Sequence, residues 1–398
     1  MANSELDWIR KTGPLVARLE AVLAKPALLG LLRPLDLDRH RARFLADWEA
    51  GSPQDPVFEY ADCDESDFDD LIEMIEATSR FEDPWHQLLA EEAEAVLSRF
   101  QALASHDAKQ VTEATAAENT APDAILLADA LHLLAQDPKL TQQPESTQEP
   151  RLDAESAAKV FTGVLRDNGL DDWSVRLDPA MPAGMSVLSP RRLVSIRPDV
   201  QVPAEMLIRL VVHEIGTHVF RWENARRGAP LLCLQLSGHS ATEEGFATWH
   251  EMNAVPGAVM HRRFPLRVVA VDAALGGGFV DVVRELTKFT ELGPAFDITA
   301  RVKRGLTDTA APGGFVKDHV YLGGLREVER YLKAAPGDYD LLMSSKWPLR
   351  RQALLKDAGA PWPTQRPLRT ADDRFVAGIR ARIAESVSWL APVSDPEV

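Results

Sequence analysis

Two histidines set five residues apart around a glutamate constrain this chain more than any other feature. His213, Glu214 and His218 stand in the run Val212-His213-Glu214-Ile215-Gly216-Thr217-His218, an H-E-x-x-x-H pattern. In the commoner H-E-x-x-H helix the imidazoles sit at i and i+4 on one face, where both reach a zinc ion and the glutamate acts as general base. At about 100° per residue, five residues turn roughly 500°, leaving the two rings about 140° apart on a regular helix. The spacing therefore predicts a local i→i+5 turn, a π-bulge. Gly216 lies between the histidines, where the lack of a Cβ makes the distortion cheapest. With the rings brought together, His213 and His218 offer imidazole nitrogen to zinc, whose catalytic sites take three protein ligands and leave a fourth position to water. Glu214 reads as the base that deprotonates that water, its pKa lowered by the metal.

The third ligand is expected from Ser240-Ala241-Thr242-Glu243-Glu244-Gly245-Phe246-Ala247. Ser240 at N-cap and Glu243 three residues on read as a capping box. That occupies Glu243 beside the site and leaves Glu244, in the first turn, to point at the metal. Gly245 is expected to let this helix and the histidine helix approach closely. An E-G-F-A run after a zincin helix is also how gluzincin aminopeptidases present their glutamate ligand.

These motifs carry a family resemblance. His213 to Arg221, with Glu243-Glu244-Gly245-Phe246-Ala247 after it, resembles the DUF1704 family, that of the MATCAP-like tubulin-tyrosine carboxypeptidases and of bacterial proteins named for a Q-E-G-L-A motif. Phe315-Val316-Lys317-Asp318-His319-Val320-Tyr321-Leu322-Gly323-Gly324 is similar to that family's K-D-x-x-Y-L-x-G segment. The resemblance covers roughly residues 150 to 335. Phe246 replaces the usual leucine, and the N-terminal third matches weakly. The resemblance implies a zinc-dependent carboxypeptidase with His213, His218 and Glu244 as ligands, Glu214 as base, and a peptide or protein C-terminus as substrate.

The bulk properties narrow the remaining classes. At 398 residues, 45% hydrophobic and 26% charged, the chain has material for a large core or several domains. A formal net charge of −16 argues against nucleic acid or an anionic membrane as partner. It also disfavours an acidic substrate unless a local basic patch departs from the average. Two widely spaced cysteines, Cys63 and Cys233, exclude a disulfide scaffold and suggest a reducing cytoplasm. The start lacks the pattern of a signal peptide, and no apolar run is long enough for a membrane span.

Along the chain, residues 1–135 read as a helical N-terminal region, a docking module or a subdomain packed on the core. Residues 136–150, rich in Gln, Pro, Ser and Thr, read as a linker or mobile loop. Residues 151–346 read as the zincin-like catalytic domain and 347–398 as a C-terminal helical extension. The N-terminal helices are expected over 5–33, 38–48, 62–78, 91–104 and 125–134, with a loop or weak helix over 106–122. Strands are expected at 173–177, 185–188 and 193–197, a small sheet that lines the cleft with its edge strand or has no substrate role. The expected fold class is α+β, mostly α, with a gluzincin-type core.

Further polar residues have two readings each. Arg221 binds a substrate carboxylate, orients the Glu244 segment, or forms an ordinary ion pair. Arg301 and Arg304 face substrate or solvent. His250 hydrogen-bonds a ligand or is a satisfied structural histidine. Lys317 and Tyr321, four apart on one helical stretch, share a face, and either stabilises an oxyanion. The whole reads as a zinc metallopeptidase. The alternatives are a zinc-containing binding or regulatory protein without turnover, a hydrolase of non-peptide amides, or another metal in the same ligands. The oligomeric state is not encoded in any motif.

Overall fold

The computed structural model describes residues 2–23, 31–62, 68–136, 151–179, 184–255, 260–357, 368–370 and 373–388. The expected linker, apart from Gln136, lies outside these residues, as does most of the proline-rich stretch after 358. The described chain is mostly helical with two small sheets, an α+β fold. None of its helices is long and apolar enough to cross a membrane.

The described residues divide into two compact units, each assembled from three separated segments. One unit draws on Met1–Thr141, Leu234–Gly245 and Met260–Glu327. The other draws on Gln142–Cys233, Phe246–Val259 and Val328–Val398. Contacts between residues far apart in sequence define these units, and such contacts leave no local signature.

The first unit is built on helices. Those at Arg263–Gly276, Phe279–Leu286 and Leu292–Lys303 enclose a core that Phe44, Phe58, Phe264, Phe279 and Phe296 fill. Phe44, Phe279 and Phe296 pack mutually with ring centres 5.1 to 5.3 Å apart, the tilted and edge-on geometry that aromatic quadrupoles favour. The helix Pro84–Ser105 starts earlier than periodicity suggested, because Asp83 caps it by accepting from the Trp85 and His86 amides. Ala108–Asn119 is a complete helix rather than a loop, with the Asp107 carboxylate accepting from the Gln110 amide. The cap and the buried Val111 and Thr115 outweigh a composition of middling helix propensity.

Lys303 closes this unit from inside. Its side chain is buried, and its ammonium donates to the carbonyls of Gly277, Ala311 and Gly313 at 2.7, 2.7 and 2.8 Å. All three ammonium protons are thereby matched, and two irregular segments are tied to one helix end.

The second unit carries both sheets. Strand β1 (Arg151–Asp153) pairs antiparallel with β5 (Gln201–Pro203). Strand β4 (Leu193–Ile196), buried throughout, lies between β2 (Ser174–Leu177), to which it is parallel, and β3 (Met185–Leu188), to which it is antiparallel. These three strands fall within a residue of their expected positions. Helix Ala154–Asp167, capped by Asp153 on the Ser156 amide, packs on β2, and helix Asp373–Ser388 packs on it in turn.

Replacing Lys303 with Met leaves three buried carbonyls without their donor. The expected cost is about 2–4 kcal/mol, read as a lower urea midpoint with an unchanged slope. An unaltered midpoint would show that the ammonium is dispensable to the fold.

Candidate active site

The segment holding the two histidines has the geometry that its spacing requires. Val212–Val219 is an eight-residue π-helix, continuous with Ala204–Val211 before it and Phe220–Gly228 after it. The wider turn brings the rings of His213 and His218 to 4.8 Å between centres, nearly perpendicular at 79°. His213 and Glu214 are buried and His218 is half-buried.

Side chains from elsewhere in this unit hold the turn. The Thr217 hydroxyl donates to the Val212 carbonyl at 3.3 Å, bridging the i→i+5 span. His250 Nδ1 lies 2.9 Å from that hydroxyl, and His250 Nε2 lies 3.0 Å from the Tyr339 hydroxyl. His250 therefore supports the π-turn through Nδ1 and is itself held by Tyr339 through Nε2. The Thr370 hydroxyl donates to the Gly216 carbonyl, and Lys346, buried, donates to the His218 carbonyl at 3.2 Å. A Cβ on Gly216 would stand 2.8 Å from Thr370 Cγ2 and 2.9 Å from Phe375 Cε1. The glycine thus makes room for a neighbour as well as easing the turn.

Behind His213 lies a carboxylate that the sequence reading missed. His213 donates from Nδ1 to Glu251 Oε1 at 2.6 Å, and Arg209 Nη2 donates to Glu251 Oε2 at 3.0 Å. All three side chains are buried. This bond fixes the tautomer in which Nε2 carries the lone pair, the arrangement that orients metal-binding histidines. The signal was present, since Arg209 is one helical turn before His213 and Glu251 lies two turns beyond Glu244. Lys346 and Thr370 had no such signal.

Glu243 and Glu244 lie on the helix His239–Ala254. Because it begins at His239, Ser240 sits inside the first turn and the expected capping box is not its start. Glu243 is buried and Glu244 half-buried. Seven residues turn roughly 700°, so Glu244 shares a helix face with Glu251, and Glu243 with His250. Gly245 does permit a close approach, to Gly324: a Cβ on Gly245 would lie 2.1 Å from the Gly324 carbonyl carbon, and one on Gly324 would lie 1.9 Å from the Ala241 oxygen.

That contact sets Glu244 in the same unit as the Lys317–Tyr321 segment. Lys317 and Asp318 lie in the turn before the helix Val320–Ala334, so they do not share a helical face with Tyr321 as expected. Asp318 accepts two bonds from Arg301, at 2.8 and 3.2 Å, and one from Arg304 at 3.2 Å. Burial opposes its ionisation, yet Arg304, Arg301 and Arg267 together hold its carboxyl well below the ordinary 3.8. Burial lowers the Lys317 ammonium, against the pull of the Glu244 charge. Burial, then the Glu244 charge, pushes the Tyr321 phenol up to about 12. The Asp318 ion pair chiefly raises Arg301, to which Glu244 also contributes. Arg301 keeps 40% of its side chain exposed. Arg221 is fully buried in the other unit, its Nε donating to the Leu342 carbonyl at 2.8 Å and its guanidinium carbon 5.8 Å from the Phe246 ring centre.

Comparison with known proteins gives the lineage. The family model described as microtubule-associated tyrosine carboxypeptidase matches residues 42–360. The chain is 31% identical to human MATCAP2 over 137 residues, 30% of this chain and 24% of that protein. It is 32% identical to mouse microtubule-associated tyrosine carboxypeptidase 1 over 144 residues, 33% of this chain and 29% of that protein. The matched stretch thus spans under a third of these relatives.

Two outcomes follow from this geometry. Gly216→Ala should cost about 1–3 kcal/mol through the Thr370 and Phe375 overlap, seen as a lower melting temperature; an unshifted melt would mean those neighbours give way freely. Asp318→Asn should cost about 3–5 kcal/mol at neutral pH by stranding Arg301 and Arg304. Because the folded carboxyl titrates below 3.8, its contribution is complete above that value and fades as pH falls through the folded value. Urea midpoints of parent and variant should converge only in acid, and a gap independent of pH would contradict this.

Proposed function

The chain belongs to the microtubule-associated tyrosine carboxypeptidase family, and from that we propose a zinc-dependent metallopeptidase that releases a residue from a peptide or protein C-terminus. The observation that carries the proposal is the π-helix, which sets the His213 and His218 rings 4.8 Å apart. His213, His218 and Glu244 are the ligands in this reading, and they form the one group of three such residues, among those described, suited to a metal ion. Two imidazoles and a carboxylate are a catalytic zinc donor set. The Glu251 bond to His213 Nδ1 is what such a ligand requires of its other nitrogen.

Bound zinc would polarise the scissile carbonyl and acidify water. The remaining roles fall to side chains. Glu214, between the two histidines, takes the proton of the attacking water and passes it to the leaving amine. Tyr321, a phenol that burial and then the Glu244 charge hold still further from ionising, up to about 12, donates to the oxyanion, and Lys317 adds positive charge there. Arg301, partly exposed and close enough to Glu244 to feel its charge, and Arg304 draw the substrate's carboxylate. Arg221, wholly buried on a backbone carbonyl, supports the fold around the histidine helix. The relatives' names supply tyrosine as the first terminal residue to try. A cytoplasmic setting is consistent with the two cysteines.

Elemental analysis tests the metal. The purified chain should hold about one zinc, and Glu244→Gln should lose most of it. Glu214→Gln should retain zinc while hydrolysis falls by roughly 10²–10⁴-fold. No stoichiometric zinc after reconstitution would end this reading. Undiminished function in Glu214→Gln would favour a binding protein instead.

A further inference from the structure

Arg267 has donors that the protein leaves unmatched. It lies on the helix Arg263–Gly276 among the buried Leu266, Val268 and Val269, and is 8% exposed. Its guanidinium carbon stands 4.5 Å from the Tyr321 ring centre. Phe264 stacks on the same tyrosine at 4.9 Å with 9° between planes. The Arg267 Nε and Nη1 groups are nevertheless buried without a hydrogen-bond partner, as is Arg304 Nε.

The neighbouring anions are already committed. Asp318, the carboxylate whose ionisation Arg267 helps to hold, takes its three bonds from Arg301 and Arg304. Glu118, within electrostatic reach of Lys317, is held by Arg99 at 2.6 Å. Arg267, Arg301, Arg304 and Lys317 thus face Asp318 and Glu244 with positive charge in excess. A guanidinium removed from water with donors unmet is costly. An arriving anion relieves that cost, and the anions that an unmodified peptide carries are carboxylates, which guanidinium binds through charge-assisted hydrogen bonds.

We infer that Arg267 is a specificity-determining residue that binds a carboxylate of the substrate above the Tyr321 ring. The inference rests on the peptidase reading and adds to it a residue outside both sequence motifs. The carboxylate comes from one of two sources, the terminal α-carboxylate or an acidic side chain beside it. Placing this anion against Tyr321 sets the substrate end next to the phenol that serves the oxyanion, so binding and orientation have one origin.

The test uses the full zinc-loaded chain with Glu214→Gln as background, so that peptides bind without turnover. Calorimetry compares one peptide ending in an acidic residue and tyrosine, its C-terminal amide, and its variant with glutamine at the next-to-last position. With Arg267 intact, removing the recognised carboxylate should weaken binding roughly tenfold or more. With Arg267→Gln that preference should vanish, so that peptide and protein changes are not additive. Sensitivity to the amide identifies the terminal carboxylate, and sensitivity to glutamine the side chain. Arg267→Lys, which keeps the charge and loses the fork, should retain part of the preference and guards against a Gln variant that does not fold. An unchanged ranking of the three peptides in the Arg267 variants overturns the inference. Peptide hydrolysis by the chain with Glu214 intact separates the two claims. Arg267-dependent binding without hydrolysis sinks the peptidase reading alone, and hydrolysis with binding indifferent to Arg267 sinks this inference alone.

Discussion

The i→i+5 turn over Val212–Val219 is the constraint on which the site depends. A regular helix would send the two imidazoles to different sides, and the π-turn brings their centres to 4.8 Å. Such a turn is widened and poorly packed along its own axis, so it persists where outside groups stabilise it. Here Thr217 spans to the Val212 carbonyl, Thr370 reaches Gly216 and Lys346 reaches His218. His250 braces Thr217 while Tyr339 engages the other side of the imidazole. Residues far apart in sequence thus serve one eight-residue segment. The buried polar groups of this unit make sense as supports for a distorted helix.

The legible parts of the chain are those governed by local geometry. Angular arithmetic on five residues is enough to foresee the π-turn. Short β-branched runs bounded by turns are enough to place β2, β3 and β4 within a residue. Reading failed where a distant partner decides. Arg221 read equally as a cation for a substrate carboxylate, for the Glu244 segment or for an ion pair, and the carbonyl its Nε meets lies 121 residues away. Lys317 looked helical, but the segment turns there before the helix begins at Val320. The two units, each stitched from three stretches, were beyond any reading by composition shift. Glu251 lies between these cases, since its shared face with Glu244 was visible and its bond to His213 was not.

Gly245 shows how a correct local inference meets a different partner. A residue without a Cβ beside Glu244 implied a close helix contact, and the contact is there with Gly324 of the Val320–Ala334 helix. Each glycine excludes a side chain from the other, since either added Cβ would fall within about 2 Å of backbone atoms. The spacing of the E-E-G and Y-L-G-G runs is thus a packing requirement, and it sets Glu244 within electrostatic reach of Lys317, Arg301 and Tyr321.

Net charge is therefore a poor guide to what this site binds. A formal charge of −16 describes a surface whose field is screened within about 10 Å at ordinary ionic strength. A recessed cluster is governed instead by its immediate neighbours, where low polarisability magnifies each charge. Around Asp318 those neighbours are Arg301, Arg304 and Arg267, and Asp318 satisfies only part of their hydrogen-bonding capacity. Asp318 is then best understood as the group that lets several arginines coexist without neutralising all of them. Its ionised carboxylate offsets part of their charge, and the part left over is what a second carboxylate can use.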